Sequence, residues 1–220
     1  FALFFAACII DFGHEGTNND FHVRTKSPLA TLYANQSVLE RHHVGAILEL
    51  MLLPRYNIFD GMPADTRREV VDIVLALVLS TDMAVHEQFV QKFRQRMQEG
   101  SDFSSTADQV LAAQIIFKSA DYAFCARPQD IYVQWASRLQ QEFRSQGERE
   151  AAAGITVSDF MDEEASKKLA LQARMQLTII NVASIPLFSL LTEYLPQLRI
   201  TGEYTSMNRN HWANAESQGM

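Results

Sequence analysis

Hydrophobic and polar positions along the chain repeat with the period of an α-helix over most of its length. This pattern covers residues 36–53, 106–121 and 129–150. A longer helical pattern covers 169–195 and contains Pro186, where we expect the helix to bend or break. The sequence shows no useful alternating strand pattern, no internal repeat and no heptads. It therefore predicts an all-α fold, a compact bundle of short helices.

Some positions carry more specific expectations. The run Val70–Leu79 is apolar nearly all round, which predicts a central helix buried on most sides. Thr81 and Asp82 then interrupt the apolar run, and burying them costs free energy unless they are hydrogen-bonded. Trp135 falls on the apolar stripe of a later helix and is interpreted as a packing residue. The run "ERE" that ends at Glu150 is interpreted as a solvated helix end.

Composition narrows the class of protein. The chain has 220 residues, 47% of them hydrophobic, which predicts a single domain over 1–220 with one buried core. A net charge of -7 and the lack of a basic patch exclude nucleic acid as an expected partner. Two distant cysteines favour an intracellular, reducing compartment.

The apolar start of the chain, "FALFFAACII", has no basic region before it and is too short to span a membrane. We therefore expect neither a signal peptide nor a membrane span. The run is interpreted as part of a buried helix. The domain is expected to lack helices that lie upstream in the native protein.

Three carboxylates lie beside apolar runs at the ends of predicted elements. Asp11, Asp82 and Asp121 would suit a hard cation if the fold brought them together. Nitrogen ligands or acid–base groups are available from His14, His42, His43 and His86. Taken singly, each acid is also explained as a helix cap, and the pair His42–His43 as one buried and one exposed side chain. No zinc motif of known spacing is present.

Longer motifs give a more specific signal. The run "DFGHEGTNNDF…SPLATLYANQSVLERHH" is followed in order by "DIVLALVLSTDMAVH", "KSADYAFCARP" and "QWASRLQQEFRSQGERE". Together they resemble the signature of the class I cyclic nucleotide phosphodiesterases, and the resemblance covers nearly the whole chain. It implies an all-α catalytic domain that hydrolyses the 3′,5′-cyclic phosphodiester of cAMP or cGMP to the 5′-monophosphate.

The resemblance also implies cofactors and site residues. The family uses two divalent metals, zinc and magnesium, which bind the phosphate and lower the pKa of a bridging water. Asp11 and Asp121 match the two aspartate ligands of these metals. Gln176 matches the glutamine that hydrogen-bonds the purine. Positions that orient waters and metal ligands are matched by His14, Glu40, Thr81 and Asp82, and framework positions near the site by Asn19 and Tyr33.

Several positions depart from the family pattern. Ile10 stands where the family has a metal-ligating histidine, Phe124 where it has an asparagine facing the base, and Ile179 where a phenylalanine clamps the purine. The resemblance places the histidine that protonates the leaving group, and another histidine ligand, before the start of this chain. Asp11 and Asp121 alone would hold magnesium weakly or no metal, and not zinc. No residue is assigned as catalytic.

Three functional hypotheses follow. The one we prefer is a phosphodiesterase-like pseudoenzyme that serves as a structural or interaction subunit, with protein partners in a larger complex. The alternative is an active metal-dependent phosphodiesterase whose substrate is cAMP or cGMP. The third is a non-catalytic nucleotide sensor that uses Gln176 to bind a purine.

Overall fold

The computed structural model describes residues 1–162 and 168–218, and within this part the chain forms helices and no strand. The predicted all-α class is confirmed. The helices group into two compact units, residues 1–117 and 118–220. That the chain forms a single domain stays a prediction. The α-helices are α1 (Ala2–Ile9), α2 (Asn19–Arg24), α3 (Pro28–Leu32), α4 (Val38–Leu50), α5 (Ala64–Leu79), α6 (His86–Gln98), α7 (Thr106–Asp121), α8 (Gln129–Ala152), α9 (Leu169–Ile179), α10 (Ile185–Tyr194) and α11 (Arg199–Gln218).

The core of the first unit forms where α1, α4 and α5 pack together. Helix α5 begins directly after Pro63 and carries Asp65 in its first turn, which is favourable next to the positive end of the helix dipole. Its buried face presents Val74 and Val78, four residues apart, to the other helices. Asp72 of the same helix is exposed. The expectation of burial on most sides therefore holds for one face only. The buried cluster comprises Ala6, Ile9, Val44, Val74, Leu77, Val78 and Phe117.

Helix α1 is buried less than the sequence suggested. Only Ala6 and Ile9 of this helix are buried, whereas Phe4 is exposed. Residues four and three apart on a helix share a face, so the buried pair defines one side of α1 and the other side faces solvent.

The core of the second unit lies between α8, α9 and α11. It comprises Cys125, Tyr132, Ala136, Ala173, Leu177, Ile180 and Trp212. Burial raises the pKa of the Cys125 thiol to about 12, so this cysteine is an unreactive packing residue.

The interpretation of Trp135 as a packing residue is wrong. Its side chain is 48% exposed, and the guanidinium of Arg138 lies 5.1 Å from the centre of its ring. Tyr132 and Ala136, four residues apart, define the buried line of α8. Trp135 lies on the flank of that line, where a single cation–π contact covers it in part.

The interpretation of the "ERE" run as a solvated helix end is also wrong for Glu150, which is fully buried. Its carboxylate accepts hydrogen bonds from Gln146 Nε2 at 2.9 Å and from Ser158 N and Oγ at 2.6 and 2.8 Å. The segment after α8 approaches the helix closely, since a Cβ atom on Gly147 would lie 1.9 Å from the carbonyl oxygen of Met161. The segment that follows α8 therefore buries the carboxylate of Glu150, and the helical pattern of α8 alone does not predict this contact.

The break expected at Pro186 is confirmed and takes the form of a π-helical turn over Ile180–Ser184. Proline has no backbone N–H to donate, and the N–H of Ile185 donates to the oxygen of Ile180, five residues back. The combined segment Leu169–Tyr194 is long and apolar enough to cross a membrane, but half of its apolar window is buried within the structure. The core helix of a soluble protein has the same length and composition.

Candidate functional site

Ile10 directly follows α1 and packs, half-buried, against the apolar cluster of the first unit. Its aliphatic side chain offers no lone pair to a metal. Asp11, the next residue, is exposed on a tight turn in which His14 N donates to the oxygen of Asp11 at 3.0 Å. The turn needs glycine at position 13, where φ is +72°. Asp11 and His14 are thus both held at the surface of the first unit.

Three imidazoles gather beside this turn. The ring of His43 lies 5.9 Å from that of His14 and 6.0 Å from that of His42, measured between ring centres. His43 is buried, and its Nδ1 donates to the oxygen of Phe12 at 2.7 Å. Burial lowers the pKa of His43 despite this bond and the nearby charge of Asp11, so the neutral ring is favoured. His14 Nδ1 accepts a hydrogen bond from Gly16 N at 3.0 Å.

A second set of polar contacts ties α2 to α4. Asn19 Nδ2 donates to both carboxylate oxygens of Glu40, at 3.3 and 2.9 Å, and Asn19 Oδ1 accepts from Leu39 N at 2.9 Å. The hydroxyl of Tyr33 approaches α4 at Gly45, where a Cβ atom would lie 3.0 Å from it. Asn19 and Tyr33, the residues matched to framework positions, therefore both approach α4 in the first unit, Asn19 at its first turn and Tyr33 near its middle.

The side chains of Asp82 and Thr81 are hydrogen-bonded within the first unit. Asp82 is 7% exposed, and its two oxygens accept from Ser37 Oγ at 2.7 Å and from Ala84 N at 2.9 Å. Thr81 Oγ1 donates to the oxygen of Val78 at 2.7 Å. The alternative that the sequence left open for Asp82, a helix cap, is the role its contacts show.

Asp121 is the last residue of α7 and lies in the second unit, whereas Asp11 lies in the first. Its side chain is exposed. Burial, and then the charge of Asp121, raise the pKa of the neighbouring Tyr122. Within residues 1–162 and 168–218, no three His, Cys, Asp or Glu side chains are grouped closely enough to hold a metal ion.

Gln176 occupies the core of the second unit and is only 1% exposed. The hydroxyl of Tyr132 donates to Gln176 Oε1 at 2.7 Å. The ring of Phe124 stacks on that of Tyr132, with 6.3 Å between the ring centres and 17° between the planes. Ile179 packs, half-buried, against the same core as Phe124. The carbonyl of Gln176 therefore has a protein donor, and aromatic and aliphatic side chains surround it.

The sequence does not predict the hydrogen bonds that two residues make in these regions. In the sequence pattern Tyr132 falls on the same apolar stripe as Trp135, with no polar role, and His43 is only one of four candidate histidines. For Tyr132 a signal existed, because a buried tyrosine hydroxyl usually finds a hydrogen-bond partner. For His43 none existed, since its partner is a backbone carbonyl 31 positions away.

A family model and individual relatives of known function both match this chain. The family model described as 3′,5′-cyclic nucleotide phosphodiesterase matches residues 1–203. The bovine dual specificity calcium/calmodulin-dependent 3′,5′-cyclic nucleotide phosphodiesterase 1B is 32% identical over 210 residues, covering 95% of this chain and 38% of that protein. The human high affinity cGMP-specific 3′,5′-cyclic phosphodiesterase 9A is 31% identical over 193 residues, covering 88% of this chain and 32% of that protein.

Solved structures show the same fold. The phosphodiesterase domain of the rhodopsin phosphodiesterase from Salpingoeca rosetta superposes with a TM-score of 0.90 at 24% identity, covering 99% of this chain and 66% of that one. The chain spans about a third of the length of the curated relatives it matches.

Proposed function

Because the chain belongs to the 3′,5′-cyclic nucleotide phosphodiesterase family, we propose that it is a member with little or no hydrolytic activity, retained as a structural or interaction subunit of a larger assembly. The observation that carries this proposal is Ile10, a half-buried apolar residue packed against the core at the position matched to a metal-ligating histidine. An aliphatic group cannot coordinate a transition metal, so the site would lose a ligand outright.

The residues present do not fit a zinc site. A catalytic zinc ion is held mainly by nitrogen and sulfur donors and keeps one position open for water, whereas the proposed ligands Asp11 and Asp121 supply only oxygen. Carboxylate oxygens suit magnesium, which keeps several waters in its shell. We therefore propose weakly held magnesium or no metal.

The proposed nucleotide-binding residues support the same conclusion. A purine would be recognised by hydrogen bonds to the amide of Gln176, whose carbonyl already accepts from Tyr132. Phe124 and Ile179 add apolar surface but no donor or acceptor. We expect weak binding of cAMP and cGMP, which also argues against a role as a nucleotide sensor.

One observation favours the alternative, an active phosphodiesterase. The polar contacts of Glu40 with Asn19 and of Asp82 with Ser37 are both formed, and in the alternative they would orient the waters and ligands of a working metal site. Another group would then have to replace the donor missing at Ile10.

The two proposals are separated by an assay and a metal analysis. The full-length protein is incubated with cAMP and cGMP in magnesium, manganese and zinc, and bound metal is measured by elemental analysis. We expect no metal-dependent turnover and less than one metal per chain. Robust turnover with two metals per chain would overturn the proposal of an inactive subunit.

A substitution tests whether Ile10 is the cause. Ile10→His should raise metal occupancy above that of the natural protein, because it restores a nitrogen donor beside Asp11. Ile200→His, a matched change at an exposed isoleucine of α11, should leave occupancy unchanged. Equal occupancy in the two variants would show that the rest of the site is also lost.

Localisation and partners are part of the proposal. Cys8 and Cys125 are both free thiols, which agrees with an intracellular, reducing compartment. The net charge of -7 disfavours nucleic acid and leaves proteins as the expected partners.

A further inference from the structure

We propose that a cavity in the first unit binds a carboxylate with a single unbranched apolar chain, a medium-chain fatty acid. The cavity has a volume of about 470 Å³ and lies where the end of α4, the turn after it and the start of α5 meet. None of the residues matched to metal or nucleotide sites lines it, so the inference is independent of the proposed function.

The walls of the cavity are apolar. Met51 and Phe59 are buried and form its inner part, whereas Leu52 is 81% exposed and lies at its opening. Leu48 and Val71 complete the apolar lining from α4 and α5. Small-molecule sites are mostly apolar cavities of about 300–1,000 Å³ with a few polar groups, and this cavity fits that description.

The segment around the opening is unusually apolar for a surface. Leu53, Tyr56 and Ile58, close to Leu52 in sequence, are exposed as well. Large apolar side chains clustered at the surface are typical of a binding site. The apolar chain of a ligand would be covered by the lining of the cavity, with Leu52 at the opening, and the exposed apolar residues next to Leu52 in sequence extend this apolar surface.

Charge at the opening selects the head group. Arg67 and Arg68 line the cavity and are exposed, so their guanidinium groups lie where it meets solvent. Arg68 Nη1 is 4.0 Å from Asp65 Oδ1 in a loose pair whose side chains are 75% and 97% exposed. Asn57, the other polar residue of the lining, uses its Oδ1 to accept from Phe59 N.

A carboxylate matches this arrangement better than a neutral head group. Guanidinium groups bind carboxylates through paired, charge-assisted hydrogen bonds. Such a ligand would displace the exposed pair with Asp65, which contributes little because solvent screens it. The chain fills the apolar interior and the carboxylate stays at the arginines.

Calorimetric titration of the protein with decanoate tests the proposal, with decan-1-ol as the same chain without the charge. We expect decanoate to bind with one site per chain and decanol to bind about tenfold more weakly. The double variant Arg67→Gln, Arg68→Gln should weaken decanoate about tenfold and leave decanol unchanged. Arg144→Gln with Arg199→Gln, two exposed arginines of the second unit, is the matched control and should bind as the natural protein does.

A second variant tests the cavity itself. Val71→Trp fills the interior and should abolish binding of both ligands, with circular dichroism reporting whether the fold is kept. The arginine changes are at the surface, so they test the proposal even if Val71→Trp fails to fold. Absence of saturable decanoate binding, equal affinity for decanol, or no effect of the double arginine variant would each overturn it.

Discussion

The region around Asp11 in the first unit and the region around Gln176 in the second differ in what they keep of the proposed site. In the first unit, supporting contacts such as the bond from Ser37 to Asp82 are formed, and the proposed loss is at Ile10. In the second unit, the proposed hydrogen-bonding residue Gln176 is present, and the proposed departure from the family pattern is at Phe124, whose ring stacks on that of Tyr132.

Under the proposal of an inactive member, this difference has a physical reason, because supporting contacts can persist after a metal ligand is lost. Asp82 caps the turn that follows α5, and Asn19 bonds the first turn of α4. Both contacts satisfy buried or half-buried backbone groups, so they stabilise the fold whether or not a metal binds. The presence of these polar contacts is therefore weak support for activity. A residue that only coordinates a metal does not stabilise the fold in this way.

The largest expected effect tests whether the supporting contacts in the first unit stabilise the fold. Asp82→Ala removes the acceptor for Ser37 Oγ and Ala84 N, and we expect it to lower the free energy of unfolding by about 2–3 kcal/mol. Urea denaturation measures the change. Asp72→Ala, at an exposed aspartate of α5, is the control and should stay within about 0.5 kcal/mol. Similar effects of the two substitutions would refute the structural role.

In the second unit, binding of a cyclic nucleotide can be tested separately from its hydrolysis. Phe124→Asn restores an amide beside Gln176, and we expect about tenfold tighter binding of cAMP or cGMP, since one added hydrogen bond contributes roughly 1–1.5 kcal/mol. Turnover should not appear, because Ile10 is unchanged. Calorimetry measures the affinity, with Phe4→Asn at an exposed position as the control. Turnover in Phe124→Asn alone would show that the two regions are not separate defects.

The contact that holds Gln176 can be measured directly. Tyr132→Phe leaves Gln176 Oε1 without its donor, and we expect a loss of about 1–1.5 kcal/mol in the free energy of unfolding. Tyr56→Phe, at an exposed tyrosine, should have almost no effect. Adding Gln176→Leu to Tyr132→Phe should recover part of the loss, because the buried amide that has lost its donor is then removed as well. Full additivity of the two changes would show that the bond does not matter.

The smallest expected effect is a pH dependence that comes from His43. Burial lowers its pKa in the folded protein below the usual 6.5, so the unfolded chain binds a proton first as the pH falls. Its contribution to stability is complete above pH 6.5 and is lost progressively as the pH falls to the lowered value. Denaturation midpoints between pH 8 and pH 5 should show this loss, and His43→Asn should reduce it. His211→Asn in the second unit should leave it in place.

Helix positions were predictable where the local sequence decides them. The bounds of α7, Thr106–Asp121, agree with the predicted 106–121, because the serine-rich loop "SDFSS" marks its start. The start of α5 after Pro63 was likewise readable from proline and acidic residues. The run "VSDFMDEEASKK" at 157–168 has the pattern of a helix cap and first turn, but 163–167 lie outside the described residues and α9 begins at Leu169.

Tertiary contacts decided the positions that the sequence could not predict. Glu150 is polar in sequence and buried in the fold, since Ser158 from the next segment supplies its donors. Trp135 is apolar in sequence and exposed, because the buried line of α8 passes through Tyr132 and Ala136 instead. Periodicity locates a helix face to within about one residue, and one residue is a rotation of about 100°.

Because each residue of a helix adds a rotation of about 100°, the π-helical turn at Ile180–Ser184 determines how this part of the chain responds to a deletion. A π turn accommodates one residue more than an α turn, so the surplus residue shifts the phase between Gln176 on one side and Phe188 on the other. A single deletion inside the turn would let it relax to ordinary α geometry while both halves keep their orientation. The same deletion in α9 or α10 would rotate one half by about 100° and expose its core face.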